Sequence, residues 1–339
     1  MTIVTGVTAR VPAKLNLQLA VGPPRADGYH DLVTVFHAVG LFDEVTVEPA
    51  ERDTVTVTGE GASTVPHDRD NLALRAVAAL RKQVRGGNRT AGVRVSIAKR
   101  IPVAAGLAGG SADAAAALVA ANELWTAGLT PQRLAEIAAT IGSDVAFALL
   151  GGTAVGRGRG ERLTPALAPA TQYHWVLAFA EGQLSTPKVY AALDRLRALG
   201  GPGGSGGTGS PSRIGGIPGG RPPGASTAPP GPAPPALDAP LMSALRSGDA
   251  ARLGRALSND LQPAALSLYP ALRKTLAAGL ELGALGALVA GSGPTCVFLA
   301  ASAERALELA VSLSGAGVCR SVARVTGPVP GAAVVPAQG

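Results

Sequence analysis

The sequence is poor in the residues on which several classes of protein depend. Its 339 residues include two cysteines, too few for a disulfide framework or a four-thiolate zinc site. No uninterrupted apolar run reaches the ~18–20 residues of a membrane helix, and residues 1–6 lack the basic start and apolar core of a secretory signal. These absences predict a protein of the reducing cytoplasm that does not cross a membrane.

Aromatic residues and clustered charge are also scarce, which limits the partners to be expected. Aromatics make up 3% of the chain, and its 30 basic residues, against 23 acidic ones, include no run of four or more. Nucleic-acid-binding proteins usually cluster basic residues and supply rings for stacking. The net charge of +7 therefore predicts small anionic partners such as phosphorylated metabolites, and no nucleic acid.

Glycine and proline, by contrast, are concentrated in one segment. Residues 200–236 contain 13 glycines and 10 prolines among 37 positions, a composition too poor in apolar side chains to fold alone. We predict that this segment is a disordered insertion without a catalytic role, and that it separates residues 1–199 from residues 237–339.

Hydrophobic periodicity predicts an α+β fold, because consecutive strands come first and mixed elements follow. Alternating apolar residues mark the strands, and apolar stripes mark the helices. Strands are predicted at residues 4–11, 15–21, 45–47, 55–58, 93–97, 287–293 (with a glycine turn), 295–300 and 320–325. Helices are predicted at residues 71–84, 111–125, 131–140, 187–199, 239–245, 250–257, 264–276 and 302–313.

The stretch from Ile101 to Ala115 places a glycine-rich turn between a strand and a helix. The first turn of a helix has unpaired N–H groups that bind anions, and glycines let a phosphate approach the backbone. Ser111 fits an N-cap, and its hydroxyl could instead reach a phosphate or a metal ion. A tightly packed strand–helix corner that binds nothing explains the glycines equally well, so both interpretations stay open at this point.

Two further stretches place polar groups among apolar residues. Lys14 and Asn16 lie on the same side of a strand, where a solvated sheet edge is the alternative to a site. Asp144 lies in an apolar segment, either as a base or cation ligand or as an ordinary cap or turn residue. No Gly-Lys-Ser/Thr or His-Glu-x-x-His sequence occurs, which excludes a Walker A loop and argues against a zinc hydrolase.

Together these motifs resemble the GHMP kinases, a family of small-molecule kinases whose glycine-rich loop differs from Walker A. The resemblance covers nearly the whole chain except the insertion, and it implies an N-terminal mixed α/β domain like domain 2 of ribosomal protein S5 and a C-terminal ferredoxin-like α+β domain. It rests on residues 12–17, 25–32, 101–115, 142–145, 158–161, 259–261 and 291–295, which read PAKLNL, RADGYHDL, IPVAAGLAGGSADAA, GSDV, GRGE, NDL and GSGPT.

The resemblance also implies domain bounds and an assembly. Residues 1–165 would form the ATP-binding domain, and residues 166–199 would begin the substrate domain. Residues 237–330 would form the C-terminal domain after the insertion. The expected assembly is a monomer or a weak homodimer.

The resemblance further implies ATP-dependent transfer of a phosphoryl group to an alcohol. Asp144 would be the general base that accepts the hydroxyl proton, and Lys14 would hold Asp144 and that hydroxyl in place. Ser111 would contact Mg²⁺ or a phosphate. The residues implied at the ATP phosphates are Pro102, Val103, Ala104, Ala105, Gly106, Leu107, Ala108, Gly109, Gly110, Ser111 and Ala112.

The segment from Asp27 to His30 resembles family members that act on an alcohol carrying a cytidine diphosphate. The implied reaction is phosphorylation of the 2-hydroxyl of cytidine-diphosphate methylerythritol in non-mevalonate isoprenoid synthesis. Tyr29 and Tyr190 would cover the two faces of cytosine. The residues implied in substrate binding are Asn16, Tyr29, His30, Thr186 and Tyr190, with a second glycine turn at Gly291, Ser292 and Gly293.

Four alanines depart from the family pattern. Ala105 and Ala108 stand where glycine is usual, and Ala112 replaces a frequent second serine. The methyl group of Ala105 could crowd a phosphate or require a negative φ, and Ala146, in place of a proline, should loosen the turn that holds Asp144. Two alternatives therefore stay open: a GHMP kinase for another small alcohol, and a non-catalytic nucleotide- or RNA-binding relative.

Overall fold

The structure is a computed structural model that describes residues 6–84, 91–167, 169, 171–200 and 234–336. These residues form two sheets with helices packed on them, so the predicted α+β class is confirmed. The strands are β1 (Val7–Pro24), β2 (His30–Ala50), β3 (Thr54–Gly59), β4 (Gly92–Lys99), β5 (Thr153–Gly158), β6 (Arg162–Pro165), β7 (Tyr173–Phe179), β8 (Ser258–Asn259), β9 (Gly286–Val289), β10 (Cys296–Ala300), β11 (Ser321–Gly327) and β12 (Ala333–Val334). The helices are α1 (Leu72–Arg81), α2 (Gly109–Leu124), α3 (Pro131–Ile141), α4 (Ser143–Leu150), α5 (Thr186–Ala198), α6 (Ala239–Ser247), α7 (Ala250–Ala256), α8 (Gln262–Leu268), α9 (Leu272–Glu281) and α10 (Ala303–Gly315).

Two long strands form the centre of the first sheet. β1 pairs antiparallel with β2 over almost its whole length, while β5 pairs with the first half of β2 and β4 with its second half. The register shifts between Pro12 and Ala13. An irregularity at this point accommodates a proline that cannot donate to the ladder, so the predicted strands 4–11 and 15–21 join into one.

Burial on both faces explains why the sequence pattern missed β7 and residues 33–39 of β2. Residues 33–39 of β2 are all buried, and so are six of the seven residues of β7. A strand covered on both faces is a continuous apolar run without alternation, so its period does not reveal it. Only residues 45–47 of β2 were predicted as a strand, and β5, β6 and β7 were not predicted. β6 is mostly exposed, so burial does not account for that strand.

Small side chains let α2 lie in the centre of the helical layer on the first sheet. This helix contacts β1 and β2 on one side and α1, α3 and α4 on the other. Residues 114–117 are four consecutive alanines that are fully buried. Because the helix has no large side chain on these turns, it packs close to the sheet, and its N-terminus is fixed beside β1.

The second sheet has the strand order β11-β7-β10-β9, and all neighbouring strands are antiparallel. α5 to α9 lie between β7 and β9 in the chain, and α10 lies between β10 and β11. This order and direction are those of a ferredoxin-like sheet with helices added to its first crossover, so that predicted fold is confirmed. One face packs on α5, α8, α9 and α10, and the other joins the core of the first sheet.

The predicted helix at residues 264–276 is wrong as a single element. The structure has α8 and α9 instead, and Tyr269 between them has φ −137° and ψ 78°. Pro270 follows Tyr269 and disfavours the helical conformation in the residue before it, which ends α8. The apolar pattern continues through the break, and periodicity alone therefore joined the two helices.

The two sheets share parts of the chain. β8 and β12, which follow β7 in sequence, both pair with β1 of the first sheet. Residues 201–233, the main part of the predicted disordered insertion, lie outside the described residues. Ala236 is the last residue of the predicted insertion, and its carbonyl accepts from Gln18 Nε2 at 2.8 Å. The domain bounds at residues 165 and 330 stay a prediction.

Candidate active site

A cleft of about 580 Å³ lies between elements of both sheets. Its walls come from β1 and β2, from the glycine-rich loop between β4 and α2, and from the starts of α4 and α5. The turn between β9 and β10 closes one side. Segments that are far apart in the sequence therefore meet around one cavity, and many of the predicted site residues line it.

The glycine-rich loop enters α2 through left-handed backbone. Ala104, Gly106 and Ala108 have φ values of 53°, 81° and 60°. A Cβ at Gly106 would lie inside van der Waals contact with the carbonyl oxygen of Ala290. Gly106 is therefore required both by its conformation and by its close approach to the second glycine turn.

The N-cap of α2 is Ala108, which makes no side-chain capping bond. The prediction that Ser111 caps this helix is wrong, because Ser111 is the third residue of its first turn. The chain instead begins the helix from the left-handed conformation of Ala108. This leaves the Ser111 hydroxyl at the wall of the cleft.

Of the four alanines that depart from the family pattern, Ala108 has a positive φ and the other three do not. Ala105 does not have a positive φ, and its buried methyl group packs in the hydrophobic core. Ala112 is buried in the same core. Asp144 lies in the first turn of α4, so the prediction that a loosened turn holds it is wrong. Ala146 lies within the same helix, which forms without a proline at that position.

Not all residues of the predicted phosphate loop face the cleft. Pro102 and Val103 line a separate cavity of about 100 Å³ with Glu60 and Arg320. Leu107 is buried in the core, and so is Ala112 at the start of α2. The loop residues that line the cleft are Ala104, Ala105, Gly106, Ala108, Gly109, Gly110 and Ser111.

Lys14 and Asn16 form a buried hydrogen-bonded chain on β1, which rules out a solvated edge. Lys14 Nζ donates to Asn16 Oδ1 at 2.6 Å, and Asn16 Nδ2 donates to Thr34 Oγ1 at 2.8 Å. Burial lowers the pKa of Lys14, while the carboxylate of Asp144 acts in the opposite direction. Lys14 is therefore held at the cleft by its packing in the core and is not a solvent-exposed side chain.

Asp144 reaches the same cleft from the start of α4. Gly142 ends α3 and begins α4, so two helices meet at this point. In the part of the chain that the structure describes, no ion pair joins Lys14 to Asp144. The two groups interact across the cavity, which leaves space between them for a ligand atom.

The second glycine turn lies against the lysine and is held by an asparagine that the sequence analysis assigned no role. Asn259 Nδ2 donates to the carbonyls of Val289 and Gly291, both at 2.7 Å. A Cβ at Gly291 would lie 3.3 Å from Lys14 Nζ. Ser292 Oγ is 2.9 Å from Thr186 Oγ1, which ties the turn to the start of α5.

A second cavity of about 690 Å³ adjoins the first and contains the predicted aromatic residues. His30 Nε2 lies 3.0 Å from Asp194 Oδ1, and the His30 and Tyr190 rings lie 5.0 Å apart. Burial, with a smaller effect from Asp144, raises the pKa of Tyr190 to about 12, so its hydroxyl stays protonated. Tyr29 is 56% exposed at the rim.

Arg159 lies where the two cavities meet. It belongs to the GRGE motif at residues 158–161, and no function was predicted for it from the sequence. Its guanidinium lies 5.1 Å from the centre of the Tyr29 ring. Arg159, Thr186 and Tyr190 line both cavities. A ligand long enough to fill both would pass this arginine.

Comparisons with known proteins identify the family. The sequence profile described as "GHMP kinases N terminal domain" matches residues 71–152, and "GHMP kinases C terminal" matches residues 241–319. The chain is 53% identical, over 99% of its length and 94% of the relative, to the 4-diphosphocytidyl-2-C-methyl-D-erythritol kinase of Mycolicibacterium smegmatis. The chain belongs to the GHMP kinase family. The predicted family and its kinase class are confirmed, and membership in this family implies the use of ATP.

Two further comparisons bear on this GHMP kinase. It is 51% identical to the 4-diphosphocytidyl-2-C-methyl-D-erythritol kinase of Thermobifida fusca, over 99% of the chain and all of that relative. A crystal structure of 4-(cytidine 5'-diphospho)-2C-methyl-D-erythritol kinase matches with a TM-score of 0.68 and 32% identity, covering 94% of this chain and 98% of that one. A homoserine kinase from Cytophaga hutchinsonii, at 18% identity and a TM-score of 0.67 over 99% of both chains, shares the fold.

The donor atoms of this GHMP kinase suit Mg²⁺ only together with a phosphate ligand. Among the described residues, no group of three or more His, Cys, Asp and Glu side chains could hold a metal ion. Mg²⁺ in phosphate-binding sites takes one or two protein oxygens and completes its octahedron with phosphates and water. Ser111 and Asp144 offer such oxygens to the same cleft.

The structure also addresses the membrane prediction. No helix in the described ranges is long and apolar enough to cross a bilayer. The predicted cytoplasmic location, the absence of nucleic-acid binding and the monomeric or weakly dimeric state stay predictions.

Proposed function

We propose that this kinase transfers the γ-phosphoryl group of ATP to the 2-hydroxyl of 4-diphosphocytidyl-2-C-methyl-D-erythritol. The observation that carries the proposal is the pairing of two adjoining cavities in one chain that is 51–53% identical to kinases named for this alcohol. One cavity offers a lysine, a carboxylate and a glycine-rich loop. The other offers aromatic rings on which a pyrimidine base can stack.

Asp144 is the general base in this proposal, and Lys14 stabilises the charge that develops on the hydroxyl. Lys14 lines the first cavity from β1 and Asp144 from α4, and no ion pair joins them in the described chain. A hydroxyl placed between them gives its proton to the carboxylate as its oxygen attacks the γ-phosphorus of ATP, and ADP leaves as the bond from that phosphorus to the bridging oxygen breaks. Asn16 accepts from the lysine at 2.6 Å, which fixes the direction of the ammonium.

The glycine-rich loop binds the ATP phosphates. Its residues that line the cleft are glycines, alanines and Ser111, so small side chains leave the loop backbone and the first turn of α2 open to a phosphate. We propose that Mg²⁺ enters with the nucleotide and that the Ser111 hydroxyl contacts it or a phosphate. The bound ion would neutralise charge on the transferring phosphoryl group.

The second cavity binds the cytidine end. Tyr190 is fixed against His30, which in turn pairs with Asp194, so this face of the cavity is preorganised. Tyr29 and the guanidinium of Arg159 form the exposed face. Arg159 lies where the two cavities join, so the diphosphate of the alcohol is its proposed partner.

The test is ADP release by the purified full-length protein with ATP, Mg²⁺ and the cytidine-diphosphate alcohol. We expect release only when the alcohol is present, and a loss of about 10²–10⁴-fold in kcat for Asp144→Asn with the KM values nearly unchanged. Equal ADP release with 2-C-methyl-D-erythritol or homoserine would favour a kinase for another alcohol. Unaltered kcat in Asp144→Asn would remove Asp144 as the base.

A further inference from the structure

Three charged side chains are buried together behind the glycine-rich loop, and the proposed mechanism uses none of them. Lys99 Nζ lies 2.6 Å from Asp43 Oδ2 and 2.7 Å from Asp113 Oδ2. The three side chains are at most 3% exposed. We call Asp43, Lys99 and Asp113 the buried triad.

The triad connects the two ends of the loop. At the first end, Asp43 Oδ1 accepts from the backbone N–H groups of Arg100 and Ile101 at 2.6 and 2.8 Å. At the second end, Asp113 belongs to α2, four residues after its first residue, Gly109. Lys99 bridges the two carboxylates, so the start and the finish of the loop are held at a fixed separation.

The ammonium of Lys99 also lies directly against the start of α2. A Cβ at Gly109 would be 3.3 Å from Lys99 Nζ. Gly109 itself lines the cleft that we assign to the ATP phosphates. The lysine is therefore separated from the phosphate site by little more than one layer of backbone.

Stability alone does not explain this arrangement. Burying charges carries a desolvation cost that a salt bridge often fails to recover, and apolar residues of similar size can be equally stabilising. Here two carboxylates share one ammonium, and Asp113 Oδ1 has no hydrogen-bond partner within the described chain. Directional bonds to backbone groups are what the triad provides and apolar side chains could not.

We propose that Asp113 is a positioning residue for ATP: through Lys99 and Asp43 it sets the distance between the ends of the glycine-rich loop. The inference rests on the proposed function, since it takes the loop to be the phosphate site. Loss of the tie would widen the loop and weaken the hold on the nucleotide, while the alcohol site and the base would be untouched.

The experiment compares three single variants in the full-length protein. Asp113→Ala removes the ion pair between Lys99 and α2 and leaves Lys99 paired with Asp43, with no net charge. Asp113→Asn keeps an oxygen that can accept from Lys99. Asp53→Ala is the matched control, because Asp53 also bonds a cation, Arg81, at 2.6 Å and accepts from the backbone of Val93 at the other end of β4.

The readouts are the Kd of a non-hydrolysable ATP analogue with Mg²⁺, without the alcohol, and the KM of each substrate. For Asp113→Ala we expect about a tenfold rise in the Kd of the analogue and in the KM of ATP, with the KM of the alcohol within twofold. Asp113→Asn should restore most of the affinity. Asp53→Ala should lower Tm without raising the Kd of the analogue.

Unchanged Kd in a folded Asp113→Ala protein would overturn the inference, and so would a parallel rise in the KM of ATP and the KM of the alcohol, which would indicate a general loss of structure. If Asp113→Ala does not fold, Asp113→Ser replaces it, because the short hydroxyl cannot reach Lys99, and the same criteria apply. A wild type that binds the analogue but ignores the alcohol would contradict the proposed substrate and leave the triad result valid.

Discussion

The two cavities of the site are built in different ways. The cavity with Lys14 and Asp144 is formed mainly by backbone and by side chains that the core holds in place; Lys14 is only 9% exposed. The cavity with Tyr29 combines one fixed face, where His30 is buried, with an exposed face, where Tyr29 is 56% exposed. Chemistry needs atoms fixed within a fraction of an ångström, whereas recognition of a base tolerates adjustment. We therefore expect substitutions in the first cavity to change kcat or ATP affinity and those in the second to change the KM of the alcohol.

The largest effect that tests this contrast is expected for Lys14→Met. Methionine fills the buried space, so the fold should persist, but the positive charge beside the reacting hydroxyl is lost. We expect kcat to fall about 10²–10³-fold, with the KM of the alcohol within threefold. Steady-state kinetics with both substrates varied will measure this. A raised KM with normal kcat would place Lys14 in recognition and break the contrast.

The next effect concerns the backbone of the first cavity. Gly106→Ala places a methyl group on a residue with φ of 81° and against the carbonyl of Ala290. We expect a loss of about 2 kcal/mol or more in the free energy of unfolding and about a tenfold higher KM for ATP. Denaturant unfolding and kinetics measure both quantities.

Gly110→Ala is the matched control for Gly106→Ala. At Gly110 the nearest atom to the new Cβ is Leu72 Cδ1 at 3.5 Å, an ordinary contact, and the residue lies in α2. Alanine favours the helix there, so its unfolding free energy should be unchanged or up to about 1 kcal/mol higher. Equal losses in the two variants would show that the loop geometry is not what restricts position 106.

The smallest effects are expected in the second cavity. Tyr190→Ala removes the ring packed on His30 and should raise the KM of the alcohol about tenfold, because one stacked base contributes about 1–3 kcal/mol. Tyr29→Ala, at the exposed rim, should raise it about threefold. The kcat values should stay within twofold of the wild type in both. A fall in kcat with an unchanged KM would show that these rings position the reacting end and would contradict the division between the cavities.

The sequence was informative where function depends on local pattern. Spacing along a strand placed Lys14 and Asn16 side by side, and they are hydrogen-bonded at 2.6 Å. A strand followed by small residues and a helix indicated the loop that now lines the cleft. Both signals lie within a few residues of chain, so the local geometry of a strand or a helix start is enough to read them.

Contacts between residues that are far apart in the sequence could not be predicted. Lys99 is 56 residues from Asp43 and 14 from Asp113, and no periodicity relates them. The cap of α2 was wrong because Ala108 adopts a left-handed conformation that alanine rarely takes. Here the packing of the loop against the second glycine turn overrides the local preference, which favoured Ser111 as the cap.

The pairing of β12 with β1 has a consequence for synthesis of the chain. Arg10 lies opposite Ala333, so this part of the β1 edge pairs with residues made more than 300 positions later, after β8 has paired at Gln18 and Leu19. On the ribosome this part of the β1 edge, around Ala9 and Arg10, stays open while the glycine- and proline-rich segment and the whole second sheet emerge. During that interval β1 offers unpaired N–H and C=O groups to any other extended chain nearby, which makes the nascent protein a natural client for chaperones.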